Sequence, residues 1–227
     1  MIAPIKRLPK HLSIGLWCLI GLEVGLALAY LITIWRQQSM PAWLDWNGLR
    51  SLPSLMQAAA LFTIGLLALL LLIFRNRIQR PLSRLLPLSL ASLCFYGAVD
   101  ELTKLHLQLN QYNWKGIYIT ILIAIPLICW RDLDRLWREH RPIVLWVLIG
   151  LGIFLLGGFG AELIKENLHT GFSPGAPLTL TEQNMSLPFW VEPLRITLEE
   201  FAELLGETII LFGVAQFVLK RISSQAN

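Results

Sequence analysis

The chain has 227 residues, of which 55% are hydrophobic and 15% are charged, and its mean hydropathy is +0.59. This composition excludes an ordinary soluble domain and is typical of a protein embedded in a membrane. The net charge of +4 does not indicate a nucleic-acid partner, because the basic residues lie in short segments between apolar stretches.

Six stretches are long and apolar enough to cross a hydrocarbon core of about 30 Å, which takes about 20 helical residues. They are residues 12–35, 54–74, 84–104, 115–131, 143–164 and 196–219. Runs such as residues 66–74 are apolar on every side and lack the alternation of a barrel strand. We therefore expect an all-α fold: a polytopic transmembrane bundle of six spanning helices that forms a single integral membrane domain over residues 1–227.

The basic residues predict the orientation of these helices. Most lysines and arginines lie in four segments: the N-terminal ten residues, residues 75–84, residues 131–142 and the C-terminal end. Cytoplasmic loops carry an excess of Lys and Arg. The pattern therefore predicts that both termini face the cytoplasm.

Four glutamates lie in the last predicted helix, at positions 199, 200, 203 and 207, and we call them the acidic stripe. Glu200, Glu203 and Glu207 share one helical face. Ionisable groups at membrane depth are costly and are kept where they face a bundle interior or a wet cavity. Because like charges repel, either protons neutralise some of these carboxylates or a cation lies among them.

Acidic side chains in other predicted helices extend this candidate site. Glu23 lies near the middle of the first helix, and Asp100 and Glu101 lie near the outer end of the third. The candidate residues for binding an ion or a proton are therefore Glu203, Glu207, Glu200, Asp100, Glu101 and Glu23. A simpler interpretation exists for Glu200, which forms a capping box with Thr197 if the helix begins there.

A divalent metal is a candidate ligand, with His106, Asp100 and Glu203 as its protein ligands. The Glu-x-x-His motif of di-iron bundles is absent from the sequence. Haem is not expected, because no two histidines lie at mid-membrane on facing helices. A bound nucleotide is not expected either, because the sequence has no glycine-rich phosphate-binding motif.

Three connecting segments have distinctive compositions. Residues 36–53 contain Trp43 and Trp46, as expected of a segment at the membrane interface. Opposite charges three and four residues apart in 131–142 predict a short amphipathic cytoplasmic helix. Residues 165–195 form the longest predicted outer loop, and such a loop beside a membrane site acts as a lid or as a docking surface for a membrane protein partner.

Two motifs resemble those of a known class of proteins. They are Asp100-Glu101-x4-His106 on one predicted helix and Glu199-Glu200-x2-Glu203-x2-Gly206 on the last. The chain resembles an uncharacterised class of small bacterial multi-pass membrane proteins with the motifs D-E-x4-H-E and E-E-x2-E-x2-G. The second motif matches in full, whereas Leu107 stands where that class has Glu. The resemblance implies a shared fold and site without an assigned activity, and we expect a bacterial inner membrane or a thylakoid-like one.

Three functions fit these patterns. The first is a small carrier that binds a cation or a proton at the acidic stripe. The second is a non-catalytic assembly protein that contacts its partner through residues 165–195. The third is a membrane enzyme that uses carboxylates, with or without a metal, on a lipid or a small substrate. The sequence leaves open whether the protein is an enzyme, and the lipid bilayer is the one partner that all three functions share.

The predicted orientation has a direct test. Reporter fusions placed after Lys10, within 75–83, within 131–142 and at the C-terminus should all report the cytoplasm, because these segments carry the excess of basic residues. A fusion at any of the four positions that reports the opposite side would contradict the six-helix arrangement.

Overall fold

The computed structural model describes residues 10–37, 41–46, 48–75, 82–105, 114–172 and 191–223. These residues form six helices: α1 (Lys10–Gln37), α2 (Leu52–Ile73), α3 (Leu85–Thr103), α4 (Trp114–Ile128), α5 (Trp130–Phe172) and α6 (Val191–Ser223). Five helical stretches are long and apolar enough to cross a membrane, whereas α4 is apolar but shorter. The all-α class and the character of an integral membrane protein agree with the expectation.

The boundaries of α5 differ from those expected. The predicted amphipathic segment 131–142 is the beginning of α5, where Asp134 and Arg138 form an ion pair at 2.8 Å. The backbone leaves helical geometry at His140 (φ −135°, ψ 32°). Pro142 explains this kink, because proline removes a helical hydrogen bond and its ring clashes with the preceding turn. At its other end α5 continues to Phe172, beyond the expected end at residue 164.

Helix α6 lies at the centre of the bundle. It packs along α5 and also contacts α1 and α2, while α3 packs against α2. Half of the apolar stretch of α6 is buried by other helices, against a third or less in the other four candidate spans. On average, the side chains of α6 are therefore more buried by other helices than those of the other candidate spans.

Small residues allow α5 and α6 to approach closely. A Cβ atom on Gly206 would lie 2.6 Å from the carbonyl oxygen of Gly150, and a Cβ on Gly150 would lie 2.6 Å from that of Gly206. Further along the same contact, a Cβ on Gly157 would lie 2.5 Å from the Cβ of Ala202. Ala202 and Gly206 form the small-xxx-small spacing that brings helix backbones together in membranes.

Hydrogen bonds define two ends of the bundle. At one end, which we call the acidic end, the Ser54 hydroxyl donates to the carbonyl oxygen of Glu101 at 2.7 Å and so joins the start of α2 to the end of α3. At the other, the basic end, the Ser83 amide donates to the Asp132 carboxylate at 3.1 Å. Lys220 also lies at the basic end, with its Nζ 3.2 Å from Nδ1 of His140.

The contact between α5 and α6 predicts how a glycine substitution acts. Gly206→Ala should lower the free energy of unfolding by about 1–3 kcal/mol, because the new methyl group meets backbone atoms that no side-chain rotation can move. Thermal unfolding in detergent measures this loss. Gly152→Ala is the matched control, since a Cβ at position 152 would meet no atom within 4 Å. Equal melting temperatures for the two variants would contradict the close contact.

Candidate functional site

The whole acidic stripe lies inside α6 rather than at its start. The helix begins at Val191, and the Thr197 hydroxyl donates to the carbonyl oxygen of Pro193 at 2.7 Å, as in a helix interior. The capping-box interpretation of Thr197 and Glu200 is therefore wrong, because the helix begins before both residues. Proline is tolerated in a first turn, so Pro193 is compatible with this earlier start. Stabilisation of a helix terminus accordingly does not account for these glutamates.

At the acidic end, two residues of the stripe have polar partners. Glu199 forms an ion pair with Arg195 one turn earlier on the same helix. The Gln57 amide on α2 donates to the Glu200 carboxylate at 3.4 Å, although 57 and 200 are far apart in the sequence. Gln57 is 1% exposed. The contact therefore brings α2 into a site that the sequence had assigned mainly to other helices.

A buried lysine enters the same region from the end of α3. Lys104 adopts left-handed backbone geometry (φ 48°, ψ 46°), and its amide donates to the Asp100 carbonyl oxygen at 2.5 Å, which ends the helix. Its ammonium nitrogen lies 2.8 Å from Oε2 of Glu101, and the two side chains are 7% and 15% exposed. The ammonium is also within electrostatic range of Glu200 and Glu203. One internal cation is thus surrounded by carboxylates from two helices.

Two glutamates lie deeper, and we call Glu23 and Glu207 the central pair. Glu23 is fully buried at the middle of α1, and Glu207 is buried at the middle of the apolar stretch Pro193–Ile222. The Thr208 hydroxyl donates to Oε1 of Glu23 at 2.5 Å. The two carboxyl groups are within electrostatic range of each other.

Three buried oxygen atoms of the site have no hydrogen-bond partner among the described residues. They are Oε2 of Glu23, Oε2 of Glu207 and Oε1 of Gln57. Leaving a buried acceptor unsatisfied costs about 1–3 kcal/mol, and more when it is charged. These acceptors therefore require protons, water or a cation to satisfy them.

Glu203 connects the acidic end to the central pair. It is partly buried and within electrostatic range of Glu101, Glu199 and Glu200. Its Oε1 lies against Gly158 of α5, where a Cβ atom would collide with it. The absence of a side chain at position 158 thus makes room for this carboxylate.

Asp100 points away from this group. The Tyr118 hydroxyl on α4 donates to Oδ2 of Asp100 at 2.9 Å. Successive residues of a helix are turned by about 100°, so Asp100 faces α4 while its neighbour Glu101 lies within electrostatic range of Glu200 and Glu203 on α6. The sequence grouped the two because they are adjacent, and the structure separates them.

The predicted metal ligands are only partly described. His106 lies outside the described residues, and Asp100 is hydrogen-bonded to α4 while Glu203 faces α5. Within the described ranges, no group of three or more His, Cys, Asp or Glu side chains is arranged to hold a metal ion. The metal set of His106, Asp100 and Glu203 stays a prediction.

The connecting segment after α1 packs against α1 and against α6 next to the acidic stripe. Trp46 is fully buried and meets Tyr30 edge to face, with ring centroids 6.4 Å apart. Leu44 and Trp46 pack in one cluster with Leu26, Tyr30 and Leu204. Trp43 is exposed, as expected at a membrane interface, whereas Trp46 is part of the core.

Sequence reasoning missed two contributors to the site. Thr208 had not been singled out although it is the donor to Glu23, and Gly158 had not been connected to Glu203. Two features of the sequence could have indicated them. Thr208 is a polar residue next to Glu207 in an apolar run, and Gly158 belongs to a Gly-Gly pair in α5. Neither signal identifies its partner, because the partners lie on other helices.

Comparison with known proteins assigns a family. A family model described as a domain of unknown function (DUF8692) matches residues 16–218, which include the acidic stripe and the central pair. No curated protein and no solved structure matches the chain. The motif resemblance and the bacterial origin stay predictions. The match covers most of the chain, and the protein therefore belongs to the DUF8692 family.

Proposed function

We propose that this integral membrane protein binds a cation or a proton at an acidic site inside its helix bundle. The observation that carries the proposal is the central pair: two buried glutamates halfway along their helices, each with one oxygen that has no partner among the described residues. Soluble proteins rarely bury such groups unpaired, and in a membrane the cost of doing so is higher.

The charges of the site favour a cationic occupant. Arg195 pairs with Glu199 and Lys104 with Glu101. Among the described residues, no lysine or arginine forms an ion pair with Glu23, Glu203 or Glu207. An ionised group at the bilayer centre costs from about 2.5 to more than 10 kcal/mol. A proton or a cation bound among these carboxylates removes much of that cost, so occupation and stability of the site are linked.

The distribution of polar residues along α6 supports access from one side. The stripe covers about 12 Å of helix from Glu199 to Glu207 at about 1.5 Å per residue. Beyond Thr208, α6 is apolar until Gln216, near the basic end. The acidic end therefore provides the entry to the central pair, and carrying an ion onward would require a second arrangement of the helices.

The orientation that we propose has six crossings, with both termini inside and the acidic end outside. The position of α4 supports it. Tyr118, near the start of α4, contacts Asp100 near the end of α3, whereas Asp132, just after α4, contacts Ser83 before the start of α3. Helix α4 therefore runs between the two ends of the bundle, as a spanning helix does. The excess of lysine and arginine at the basic end favours a cytoplasmic location for that end.

The test of the proposed function is a count of bound charge. Protein in lipid nanodiscs is titrated from alkaline to mildly acidic pH, with and without added monovalent and divalent cations, and metal content is measured by elemental analysis. The wild type should bind one more proton or equivalent of cationic charge than Glu207→Gln, because that substitution removes a carboxyl group that needs a cationic occupant. Glu203→Gln tests in the same way whether the occupant extends toward the acidic end.

The matched control is Asp134→Asn, which neutralises a carboxylate that is part of an exposed ion pair at the other end of the bundle. Asp134→Asn should leave the metal content unchanged. It should also leave unchanged the number of protons that are released when a cation is added. If Glu207→Gln folds normally and binds as many protons and cations as the wild type, the central pair has no occupant and the proposal fails. This titration measures bound charge and does not test for catalysis. A carboxylate-dependent enzyme would in addition convert a lipid or a small substrate.

A further inference from the structure

Resting on the proposed function, we infer that the acidic end of the site is a binding site for a primary ammonium group, and that Lys104 occupies part of it from within the chain. We call it the ammonium site. The acceptors that we assign to it are the Glu101 carboxylate, which Lys104 contacts, the carboxylates of Glu200 and Glu203, which lie within electrostatic range of Lys104, and the amide oxygen of Gln57, which has no donor among the described residues. The inferred ligand class is an alkylammonium cation that replaces the lysine head.

The position of Lys104 is unusual for a lysine. Lysine is almost never fully buried unless it is paired, yet this side chain is 7% exposed. Lys104 and Arg50 are the only non-glycine residues with positive φ in the described ranges. Left-handed geometry is unfavourable for a non-glycine residue, because its Cβ comes too close to the following carbonyl oxygen. That cost is offset because the geometry ends α3 and turns the side chain back toward Glu101.

A second observation indicates a ligand at this place. Gln57 is 1% exposed, and its amide nitrogen donates to Glu200 at 3.4 Å. Its carbonyl oxygen is buried with no donor among the described residues. An ammonium group has three N–H donors and no acceptor, so one such group can donate to Glu101, to Glu200 and to this amide oxygen. Lys104 supplies the contact to Glu101 and lies in the field of Glu200 and Glu203.

The charge balance of the ammonium site explains why removing Lys104 admits a replacement. Without Lys104, Glu101 loses its ion pair, and among the described residues the remaining cation of the acidic end is Arg195, which is paired with Glu199. Removing one partner of a buried ion pair leaves an uncompensated charge. A small external ammonium ion of the same charge and shape then restores the lost contacts.

The experiment uses methylammonium as the probe and the full-length protein in lipid nanodiscs. Lys104→Gln should bind methylammonium at least about tenfold more tightly than the wild type in calorimetry, a change of about 1.4 kcal/mol. Methylammonium should also raise the melting temperature of Lys104→Gln and leave that of the wild type unchanged, because a ligand that binds only the folded state stabilises it. Adding Gln57→Leu to Lys104→Gln should weaken the gain, since it removes the free acceptor.

Arg195→Gln is the matched control, because it removes the other buried cation of the acidic end without emptying the ammonium site. A gain of methylammonium binding as large in Arg195→Gln as in Lys104→Gln would overturn the inference and show unspecific attraction to negative charge. A folded Lys104→Gln that binds methylammonium no better than the wild type would also overturn it. If Lys104→Gln does not fold, the double variant Glu101→Gln/Lys104→Gln removes the ion pair as a unit and carries the same expectation through Glu200 and Gln57.

The two proposals fail separately. If Glu207→Gln changes the bound charge but Lys104→Gln gains no methylammonium, the central pair keeps its role and the ammonium site is wrong. If Lys104→Gln binds methylammonium while Glu207→Gln changes nothing, the acidic end binds cations and the central pair is structural.

Discussion

The free-energy cost of an ionised carboxylate in a low-dielectric interior determines the design of this bundle. Glu23 and Glu207 lie at the middles of their apolar stretches, where water is least available. The surrounding structure reduces the cost in part: Thr208 donates to Glu23, and Gln57 and Lys104 approach the stripe from α2 and α3. The buried oxygens that stay without a partner among the described residues are the places where the proposed proton or cation would bind.

The site also depends on the close contact between glycines of α5 and α6, which lies on the face of α6 next to the acidic stripe. Ala202 and Gly206 face α5 and bring the two backbones together, while Glu203 and Glu207 are each one residue further along the helix. A rotation of about 100° per residue separates the two faces. The pattern E-E-x2-E-x2-G therefore encodes a polar face and a packing face in the same turns. Close packing by α5 excludes lipid from one side of the carboxylates, and Gly158 leaves space for Glu203.

Hydropathy and charge predicted much of the fold, because membrane insertion depends on properties that are local in the sequence. The six helices and the burial of acidic side chains follow from apolar length and from the cost of charge in lipid. The start of α6 was predicted too late, because a capping-box pattern at Thr197 and Glu200 looks the same whether or not the helix continues before it. The presence of Pro193 did not decide between a helix that begins at residue 196 and one that begins at Val191, because proline fits a first helical turn as well as a loop.

The composition of the site was harder to predict, because it depends on which helices become neighbours. The sequence places Asp100 and Glu101 side by side, but only the packing of α4 against α3 shows that Asp100 turns toward Tyr118. The pairing of Thr208 with Glu23 joins residues from opposite ends of the chain. Single-sequence patterns carry no information on such pairs. The polar residues inside apolar helices could be recognised individually, whereas their partners could not.

The proposed function requires that the buried carboxyl groups are neutralised by a proton or by a bound cation. Infrared difference spectroscopy of the wild type against Glu207→Gln, in lipid and without added cations, measures this most directly. We expect the band of a protonated carboxyl group that belongs to Glu207 and that disappears when a cation binds. An ionised Glu207 carboxylate in protein that contains no bound cation would contradict the account.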